Sequence, residues 1–249
     1  MPDKQRLDIL LVDTGLIASR TRAKAMVMAG KIFVDGERID KPGTMVSIDA
    51  SIDVKGGDLP YVSRGGLKLA AAIESLSLRL DQWVCLDVGA STGGFTDCML
   101  QNGASRVYAV DVGYGQLAWS LRKDPRVIPI ERTNIRHMPM DRIPEPVDLA
   151  TIDASFISLK IVVPVVLKFL KPNGRILALI KPQFEVGRGQ VGKGGVVKNP
   201  QLHETVIQEL TEFFVNQGLI CGPVVPSPIL GPKGNREFII LLTASDSVL

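Results

Sequence analysis

The sequence predicts an α/β protein in two parts: a small α+β module, followed by a doubly wound, mostly parallel sheet with helices on both faces. Strand-like and helical segments alternate after residue 63, which is typical of βαβ units and a parallel sheet. The run Gly56-Gly57-Asp58-Leu59-Pro60 has the composition of a linker and separates the two parts. The 249 residues, of which 45% are hydrophobic, suffice for one sizeable α/β domain and a smaller one.

The N-terminal module, residues 1–58 with a linker over residues 56–62, is predicted to contain two helices and a small hairpin. Apolar spacing and turn residues predict helices at residues 6–12 and 20–28 and strand-like segments at residues 31–34, 45–48 and 51–54. Ser19 is a favoured N-cap for the second helix, and Gly30 is a typical stop signal after it.

The larger domain, residues 63–249, alternates between the two kinds of segment. Its predicted strands are residues 83–88, 106–111, 127–131, 147–152, 175–181, 220–225 and 236–242. Its predicted helices are residues 67–77, 94–102, 116–122, 158–169 and 201–216. No helix separates the last two strands, so we expect a hairpin that adds one antiparallel strand, the last one, to the sheet.

Composition and charge exclude several classes of protein. With 29 basic and 26 acidic residues the net charge is +3, which permits a nucleic-acid partner without requiring one. Three cysteines and two histidines are too few and too scattered for a disulfide framework or a metal site. The most apolar runs, residues 161–167 and 176–180, are shorter than the ~18–20 residues of a membrane-spanning helix. We therefore expect a cytoplasmic protein without a metal or membrane contact.

The loop after the first strand of the larger domain predicts a ligand site. Its glycines stand at 89, 93 and 94, which departs from the Gly-x-Gly-x-x-Gly of dinucleotide-binding loops. Asp87 lies at the end of this strand, and Asp111 ends the next one, where a carboxylate can bind ribose hydroxyls. The alternative is a tight strand–helix turn that binds nothing.

This loop, with an acid closing the second strand, resembles the S-adenosylmethionine-dependent methyltransferases of Rossmann-like fold. An acid at position 87 suits a zwitterionic amino-acid cofactor, whereas it would repel a pyrophosphate. The resemblance implies S-adenosyl-L-methionine as cofactor. The predicted cofactor-binding residues are Asp87, Gly89, Ser91, Gly93, Gly94, Phe95, Asp111 and Asn134.

Other features have simpler interpretations. Residues 187–194 imitate the spacing of a phosphate-binding loop, but Gly194 stands where a magnesium-binding Ser or Thr is needed. We interpret this segment as a basic loop that contacts RNA or substrate. His137 and His203 are predicted to be surface or loop residues, and Cys85 and Cys98 small core residues.

Four polar residues stand where packing does not explain them: Lys68, Asp153, Lys181 and Glu237. Lys–Asp–Lys–Glu in this order resembles the FtsJ-like ribose 2′-O-methyltransferases. The phrases Ser-Arg-Gly-Gly-Leu-Lys-Leu, Asp-Val-Gly-Tyr-Gly-Gln-Leu, Lys-Pro-Gln-Phe-Glu and Gly-Gly-Val-Val resemble the TlyA branch, often labelled haemolysin A. The alternative is a set of structural ion pairs at strand ends.

The resemblance implies that these four residues are catalytic. A ribose 2′-hydroxyl is a poor nucleophile that has to be held in line with the methyl carbon and the sulfur. Lys181, oriented by Asp153, is the candidate that positions the hydroxyl and helps to remove its proton. To take the proton, Lys181 has to be neutral part of the time. Lys68 disfavours its charge and the two acids favour it, and the sequence leaves the balance open.

Residues 7–54 resemble the small RNA-binding domain of a small-subunit ribosomal protein, the S4-like fold. Between Arg20 and Lys41 there are six basic and three acidic residues, a charge pattern that suits phosphates. The predicted RNA-binding residues are Arg20, Arg22, Lys24, Lys31, Arg38 and, after the linker, Arg64. A merely solvated helix face is the alternative.

The resemblance as a whole implies a methyltransferase that modifies ribosomal RNA or ribosomal subunits at a ribose 2′-hydroxyl, with cytidine as the target. Two alternatives remain at this stage. One is a membrane-active haemolysin, which the label of the family suggests. The other is a non-catalytic RNA-binding protein on the same fold.

Overall fold

The structure is a computed structural model that describes residues 4–14, 16–17, 19–55, 60–192, 194–231 and 234–244. The chain divides into two compact units, residues 1–59 and 60–249, which are described separately below.

The first unit packs two helices against short strands. Its elements are β1 Lys4–Arg6, α1 Leu7–Asp13, α2 Arg20–Met28, β2 Ile32–Val34, β3 Glu37–Ile39, β4 Met45–Ser47 and β5 Ile52–Val54. β2 lies antiparallel between β3 and β5, and β1 pairs with β4. β1 and β3 were not predicted, because three mostly polar residues give no alternating pattern.

The second helix of this unit has the predicted bounds. The hydroxyl of Ser19 accepts a hydrogen bond from the N–H of Arg22, at 3.3 Å, and so caps the helix as predicted. Ala23 and Val27 on α2 are fully buried against Leu7 and Leu11 of α1. Burial of these apolar faces, more than helix propensity, stabilises two such short helices.

The second unit contains a seven-stranded sheet. Its strands are β6 Val84–Val88, β7 Arg106–Val110, β8 Val127–Ile130, β9 Val147–Ile152, β10 Leu170–Ile180, β11 Leu219–Pro226 and β12 Phe238–Ala244. Its helices are α3 Gly65–Ser75, α4 Gly94–Gln101, α5 Trp119–Lys123, α6 Leu159–Val166, α7 Pro182–Glu185 and α8 Pro200–Asn216. The sheet order is β11-β12-β10-β9-β6-β7-β8.

The sheet is parallel from β10 to β8, and β12 runs antiparallel between β10 and β11. The predicted fold class, a doubly wound sheet with an antiparallel last strand, is therefore confirmed. The core lies on both faces, because alternate residues of each strand point to opposite sides. In β6, Leu86 and Val88 belong to one hydrophobic cluster and Cys85 to the other.

The simpler interpretations of the cysteines and of His137 agree with the structure, but the one for His203 is wrong. Cys85 and Cys98 are fully buried, and His137 is exposed. His203 is 5% exposed within α8, and its Nε2 lies 2.8 Å from the carbonyl oxygen of Val197. Side-chain patterns in the sequence could not identify a partner for this ring, because the partner is a backbone carbonyl.

A buried carboxylate joins three elements of the first unit. Asp8 in α1 is fully buried, and its oxygens accept hydrogen bonds from Arg6 at 3.0 Å and from Arg20 at 2.9 Å. The hydrogen bond from Arg6 holds the pKa of Asp8 below its usual value. An acid whose pKa falls on folding stabilises the folded state above its unfolded pKa, and this contribution disappears as the pH falls through the folded pKa.

We therefore expect Asp8→Asn to lower the free energy of unfolding of the first unit by about 1–3 kcal/mol at neutral pH. The difference from wild type should begin to shrink as the pH falls below ~4, where the unfolded carboxyl becomes protonated, and should disappear once the pH passes the lower folded pKa. Thermal melts across pH measure this. Asp13→Asn is the control, because Asp13 is an exposed acid at the end of the same helix. An equal loss in both variants would contradict the assignment.

Candidate active site

Two adjoining cavities lie at the carboxyl edge of the sheet, where the strand order reverses. β6 and β9 are neighbouring strands there. From β6 the next strands along the chain, β7 and β8, lie to one side, whereas from β9 the next strand, β10, lies to the other side. The larger cavity has a volume of about 820 Å³ and the smaller one about 150 Å³. Gly89, Ser91 and Asp153 line both. Open α/β sheets bind ligands at such reversal points, beyond the carboxyl ends of the strands.

Two glycines of the loop after β6 stand where a side chain is excluded. Gly89 has a φ of +86°, and a Cβ there would lie 2.7 Å from the carbonyl oxygen of Asp153. Gly93 has a φ of +96°, and a Cβ there would collide with the side chain of Leu121. Because L-residues with a Cβ avoid this conformation, the loop needs glycine at both positions.

The remaining predicted residues of this loop also lie at the cavities. Ser91, Gly94 and Phe95 line the smaller cavity. Phe95 is only 3% exposed and packs in the core beside α3. Gly93 is not among the lining residues and instead forms the N-cap of α4.

Asp87 lies beneath the loop. It is fully buried, and its two oxygens accept hydrogen bonds from the hydroxyls of Thr96 at 2.6 Å and Thr151 at 3.1 Å. Burial raises the pKa of Asp87 to about 6, and the two hydroxyls offset part of that cost. Asp87 lines neither cavity, so the contact that the structure shows for it is with the two threonines that hold the base of the loop.

Asp111 and Asn134 line the larger cavity. The carboxylate of Asp111 accepts hydrogen bonds from the N–H groups of Ser91 and Gly113, both at 2.7 Å. These bonds fix its orientation, and a carboxylate has further lone pairs for a ligand's hydroxyls. The amide oxygen of Asn134 accepts a hydrogen bond from the N–H of Arg136 at 3.1 Å.

The four predicted catalytic residues form two ion pairs. Nζ of Lys181 lies 2.6 Å from Oδ1 of Asp153, and Nζ of Lys68 lies 2.6 Å from Oε2 of Glu237. Lys68 and Asp153 both line the smaller cavity, so the two pairs meet there. Lys68, Lys181 and Glu237 are buried, at 8%, 7% and 2% exposure. Each buried cation thus has its own carboxylate, as burial of charge requires.

The antiparallel strand explains why Glu237 reaches this edge. Ile180 at the end of β10 pairs with Phe238 at the start of β12. The residue before β12 therefore lies beside the residue after β10, Lys181. Oε1 of Glu237 is buried without a hydrogen-bond partner, which leaves one acceptor oxygen uncompensated among the described residues.

Sequence reasoning missed three residues of this edge. The hydroxyl of Ser155 lies 2.9 Å from Nζ of Lys181. Phe156 is 90% exposed, has a φ of +63°, and its ring lies 4.9 Å from that of Phe184. Glu185 accepts hydrogen bonds from the hydroxyl of Ser158 at 2.6 Å and the N–H of Leu159 at 2.8 Å, and so joins the end of α7 to the start of α6. The available signal was the position of these residues within five residues of the ends of two neighbouring strands, β9 and β10.

The predicted RNA-binding residues divide between the units. Arg20, Arg22 and Lys24 lie on α2, and Arg20 bonds the buried Asp8. Lys31 and Arg38 are exposed beyond the end of this helix. In the second unit, Arg64 donates a hydrogen bond to the carbonyl oxygen of Leu230 at 3.3 Å.

Neither a metal-binding cluster nor a membrane-spanning helix is present in the described residues. No cluster of three or more His, Cys, Asp or Glu side chains in these residues could hold a metal ion. No helix formed by them has the length and apolar character to cross a bilayer.

Comparison with known proteins identifies both units. A model of the FtsJ-like methyltransferases matches residues 61–244, and a model of the S4 domain matches residues 5–52. TlyA of Mycobacterium tuberculosis, a 16S/23S rRNA (cytidine-2′-O)-methyltransferase, is 44% identical over 100% of this chain and 94% of its own length. YqxC of Bacillus subtilis, named as a candidate rRNA methyltransferase, is 48% identical over 96% of this chain and 85% of its own.

Solved structures agree with this result. A candidate hemolysin from Streptococcus thermophilus has a TM-score of 0.77 and 46% identity, covering 99% of this chain and 90% of that one. Two methyltransferase structures at 17% and 18% identity have TM-scores of 0.50 and 0.52 and share the fold alone. The predictions of a methyltransferase and of S-adenosyl-L-methionine as its cofactor are confirmed by the family match. The chain belongs to the FtsJ-like methyltransferases and carries an S4 domain before the methyltransferase domain.

Proposed function

We propose that the protein transfers a methyl group from S-adenosyl-L-methionine to a ribose 2′-hydroxyl of ribosomal RNA, with cytidine as the target nucleoside. The observation that carries this proposal is the Lys181–Asp153 pair beside a cavity of cofactor size, next to the buried Lys68–Glu237 pair. The activity named for the TlyA relative supports the target. Because ribosomal RNA is the substrate, we also propose a cytoplasmic location and ribosomal subunits as partners.

The residues of the larger cavity fit the cofactor. Its volume of about 820 Å³ is within the usual range for a ligand of this size. Asp111 offers a fixed carboxylate for ribose hydroxyls, and Val112, Ile135 and Ile161 offer apolar contacts for the adenine ring. The backbone of the loop at Gly89 and Ser91 approaches the amino-acid end. In this proposal Asp87, Gly93, Gly94 and Phe95 maintain the path of the loop.

Lys181 positions the nucleophile. The bound cofactor supplies a methyl group activated by its sulfonium. An ammonium has three N–H donors, and Lys181 uses two of them on Asp153 and Ser155, which leaves one for the 2′-hydroxyl oxygen. Holding the oxygen in line with the methyl carbon removes much of the entropic barrier. When its amine is neutral, Lys181 also accepts the proton of the hydroxyl.

The second ion pair supports the same edge. Lys68 brings a positive charge to the smaller cavity, where it stabilises the oxygen that loses its proton. Glu237 neutralises Lys68 and holds it in place. An unpaired buried lysine would be costly, so the two residues act as a unit.

Phe156 supports recognition of the target base. An exposed aromatic ring at the rim of the larger cavity offers a face on which a nucleobase can stack. Its positive φ is a sparsely populated conformation for a residue with a side chain, and such strain concentrates at functional sites.

The basic residues of α2 and of the chain after it support RNA binding by the S4 domain. Arg20, Arg22 and Lys24, with Lys31 and Arg38, offer charges for phosphates. Arg64 does the same at the edge of the methyltransferase domain. No observation in the described residues favours a membrane-active haemolysin. The intact pairs Lys181–Asp153 and Lys68–Glu237 argue against a non-catalytic RNA-binding protein.

Nucleotide-resolution mapping of 2′-O-methylation tests this function. We expect unmodified ribosomal subunits incubated with the protein and S-adenosyl-L-methionine to acquire a 2′-O-methylcytidine. Lys181→Ala should reduce turnover by about 10²–10⁴, because it removes the group that holds the hydroxyl, while cofactor and RNA binding stay near normal. Methylation on a base instead of a ribose would contradict the proposal.

Lys181→Arg separates the two roles of this residue. Arginine keeps the positive charge but stays protonated, so it cannot act as a base. We expect a loss of turnover similar to that of Lys181→Ala if proton removal limits the rate. Substantial activity in the arginine variant would mean that Lys181 contributes only charge and position.

Asp111→Ala tests the cofactor site. S-adenosyl-L-methionine at a hundredfold excess over its dissociation constant should stabilise the wild type by ~2.7 kcal/mol, measured as a thermal shift, whereas NAD and ATP should not. The variant should show a smaller shift, because its ribose partner is gone. Asp124→Ala is the control, since Asp124 pairs with Arg126 away from the cavity. An unchanged shift in Asp111→Ala would contradict the assignment.

Charge reversal on α2 tests RNA binding. Arg20 is left intact, because its reversal would place a carboxylate beside the buried Asp8. Arg22→Glu with Lys24→Glu should weaken RNA binding and flatten its salt dependence, by ~0.9 in slope for each lost duplex phosphate contact. The control reverses Arg126 and Lys168 in the second unit. Equal salt slopes for wild type and the α2 variant would identify these two residues as merely solvated.

A further inference from the structure

The loop between β7 and α5 presents an exposed aromatic ring on a firmly held backbone. Tyr114 is 67% exposed and lies between two glycines. The N–H of Gly113 donates to Asp111 at 2.7 Å, and the N–H of Gly115 donates to Glu131 at 2.9 Å. Because the backbone is hydrogen-bonded on both sides of Tyr114, the loop holds this ring in a defined position.

Arg132 lies over this ring. Its guanidinium carbon is 4.2 Å from the centroid of Tyr114, within the range of a cation–π contact. Arg132 has a φ of +53°, which is uncommon for a residue with a side chain, and its N–H donates to the carbonyl oxygen of Gly113 at 2.9 Å. The arrangement that brings the guanidinium and the ring together therefore includes an unfavourable backbone conformation at Arg132.

The pair stands at the rim of the larger cavity. Val112 lines that cavity two residues before Tyr114, and Thr133 lines it directly after Arg132. The N–H of Thr133 donates to the carbonyl oxygen of Asp111 at 2.9 Å. Tyr114 and Arg132 are thus continuous with the proposed cofactor site.

The charge around the pair favours a polyanion. Residues 112–136 contain five basic and two acidic side chains, a surplus of three, as large as the net charge of the whole chain. The two acids are engaged by arginines of the same segment, Asp124 by Arg126 and Glu131 by Arg122. Of the other basic residues, Arg132 lies over Tyr114 and Arg136 lines the larger cavity, so these two place positive charge at this rim.

We propose that Tyr114 and Arg132 form a platform for an unpaired RNA nucleotide that neighbours the methylated one. The base stacks on the face of Tyr114 that Arg132 leaves uncovered, and the guanidinium contacts a phosphate. Stacking on an aromatic ring tolerates any base, so the platform supplies affinity and position instead of sequence choice. This inference rests on the proposed function in taking RNA as the substrate, and it adds a second RNA contact outside the S4 domain.

Binding of a short oligocytidylate, labelled at its 5′ end, tests the platform. Fluorescence anisotropy is measured on the full chain saturated with S-adenosylhomocysteine. We expect Tyr114→Ser to weaken binding about tenfold, since it removes the stacking ring, and Tyr114→Phe to bind like wild type. Arg132→Ala should lower the salt slope by about 0.7, the value of one phosphate contact on a single strand.

Arg126→Ala is the matched control for charge. Arg126 and Arg132 flank the same strand, β8, but Arg126 lies at its amino end, away from the cavities. We expect the salt slope of Arg126→Ala to equal that of wild type. Calorimetry should give Tyr114→Ser the wild-type affinity for S-adenosyl-L-methionine.

Several results would overturn the platform. One is wild-type oligomer binding by Tyr114→Ser, and another is no binding of the oligomer by the wild type at low salt. A loss of cofactor affinity in Tyr114→Ser would show that the ring covers the cofactor instead. The proposed function fails separately: absent 2′-O-methylation with normal oligomer binding would reject the function and retain the platform.

Discussion

Where β6 and β9 end side by side, the backbone at Gly89 lies so close to Asp153 that a Cβ would be 2.7 Å from its carbonyl oxygen. This approach joins the cofactor loop to the strand end that carries Asp153, and it exists because the strand order reverses between these two strands. The cofactor loop and the strand end that carries Asp153 are held together by this approach. The cavity opens between the two strand ends, and Lys181 reaches Asp153 from the neighbouring β10.

The burial of charged groups at this site is unfavourable for the stability of the fold. Lys68 and Glu237 are removed from water, and their pairing returns only part of the lost hydration. Asp87 is buried with two hydroxyl partners, and its pKa rises to about 6. Apolar side chains at such positions would not lose this hydration free energy. The large hydrophobic clusters on both faces of the sheet supply the stability that allows polar groups at its edge.

Local patterns predicted local structure well. The bounds of α2 and β9 agree with the sequence, because Ser19 gives a clear cap and residues 147–152 form a compact apolar run. β10 begins at Leu170, five residues before the predicted start, since Pro172 and Gly174 conceal a strand that pairs irregularly there. The mostly polar strands β1 and β3 are stabilised by pairing with β4 and β2, so no local sequence pattern predicts them.

By itself, the sequence determined the fold class, the glycine loop and the four polar residues of the site, because each is recognisable as a pattern within a short stretch of chain. Which residues pair was decided by the tertiary structure. Lys68 and Glu237 are 169 positions apart, and they meet only because an antiparallel β12 begins at the edge where β10 ends. Neighbours on other strands and loops likewise determine the contacts of Ser155, of the threonines beneath Asp87 and of the ring of Tyr114 under Arg132. Strand order is a property of the whole sheet, and no segment of the chain encodes it alone.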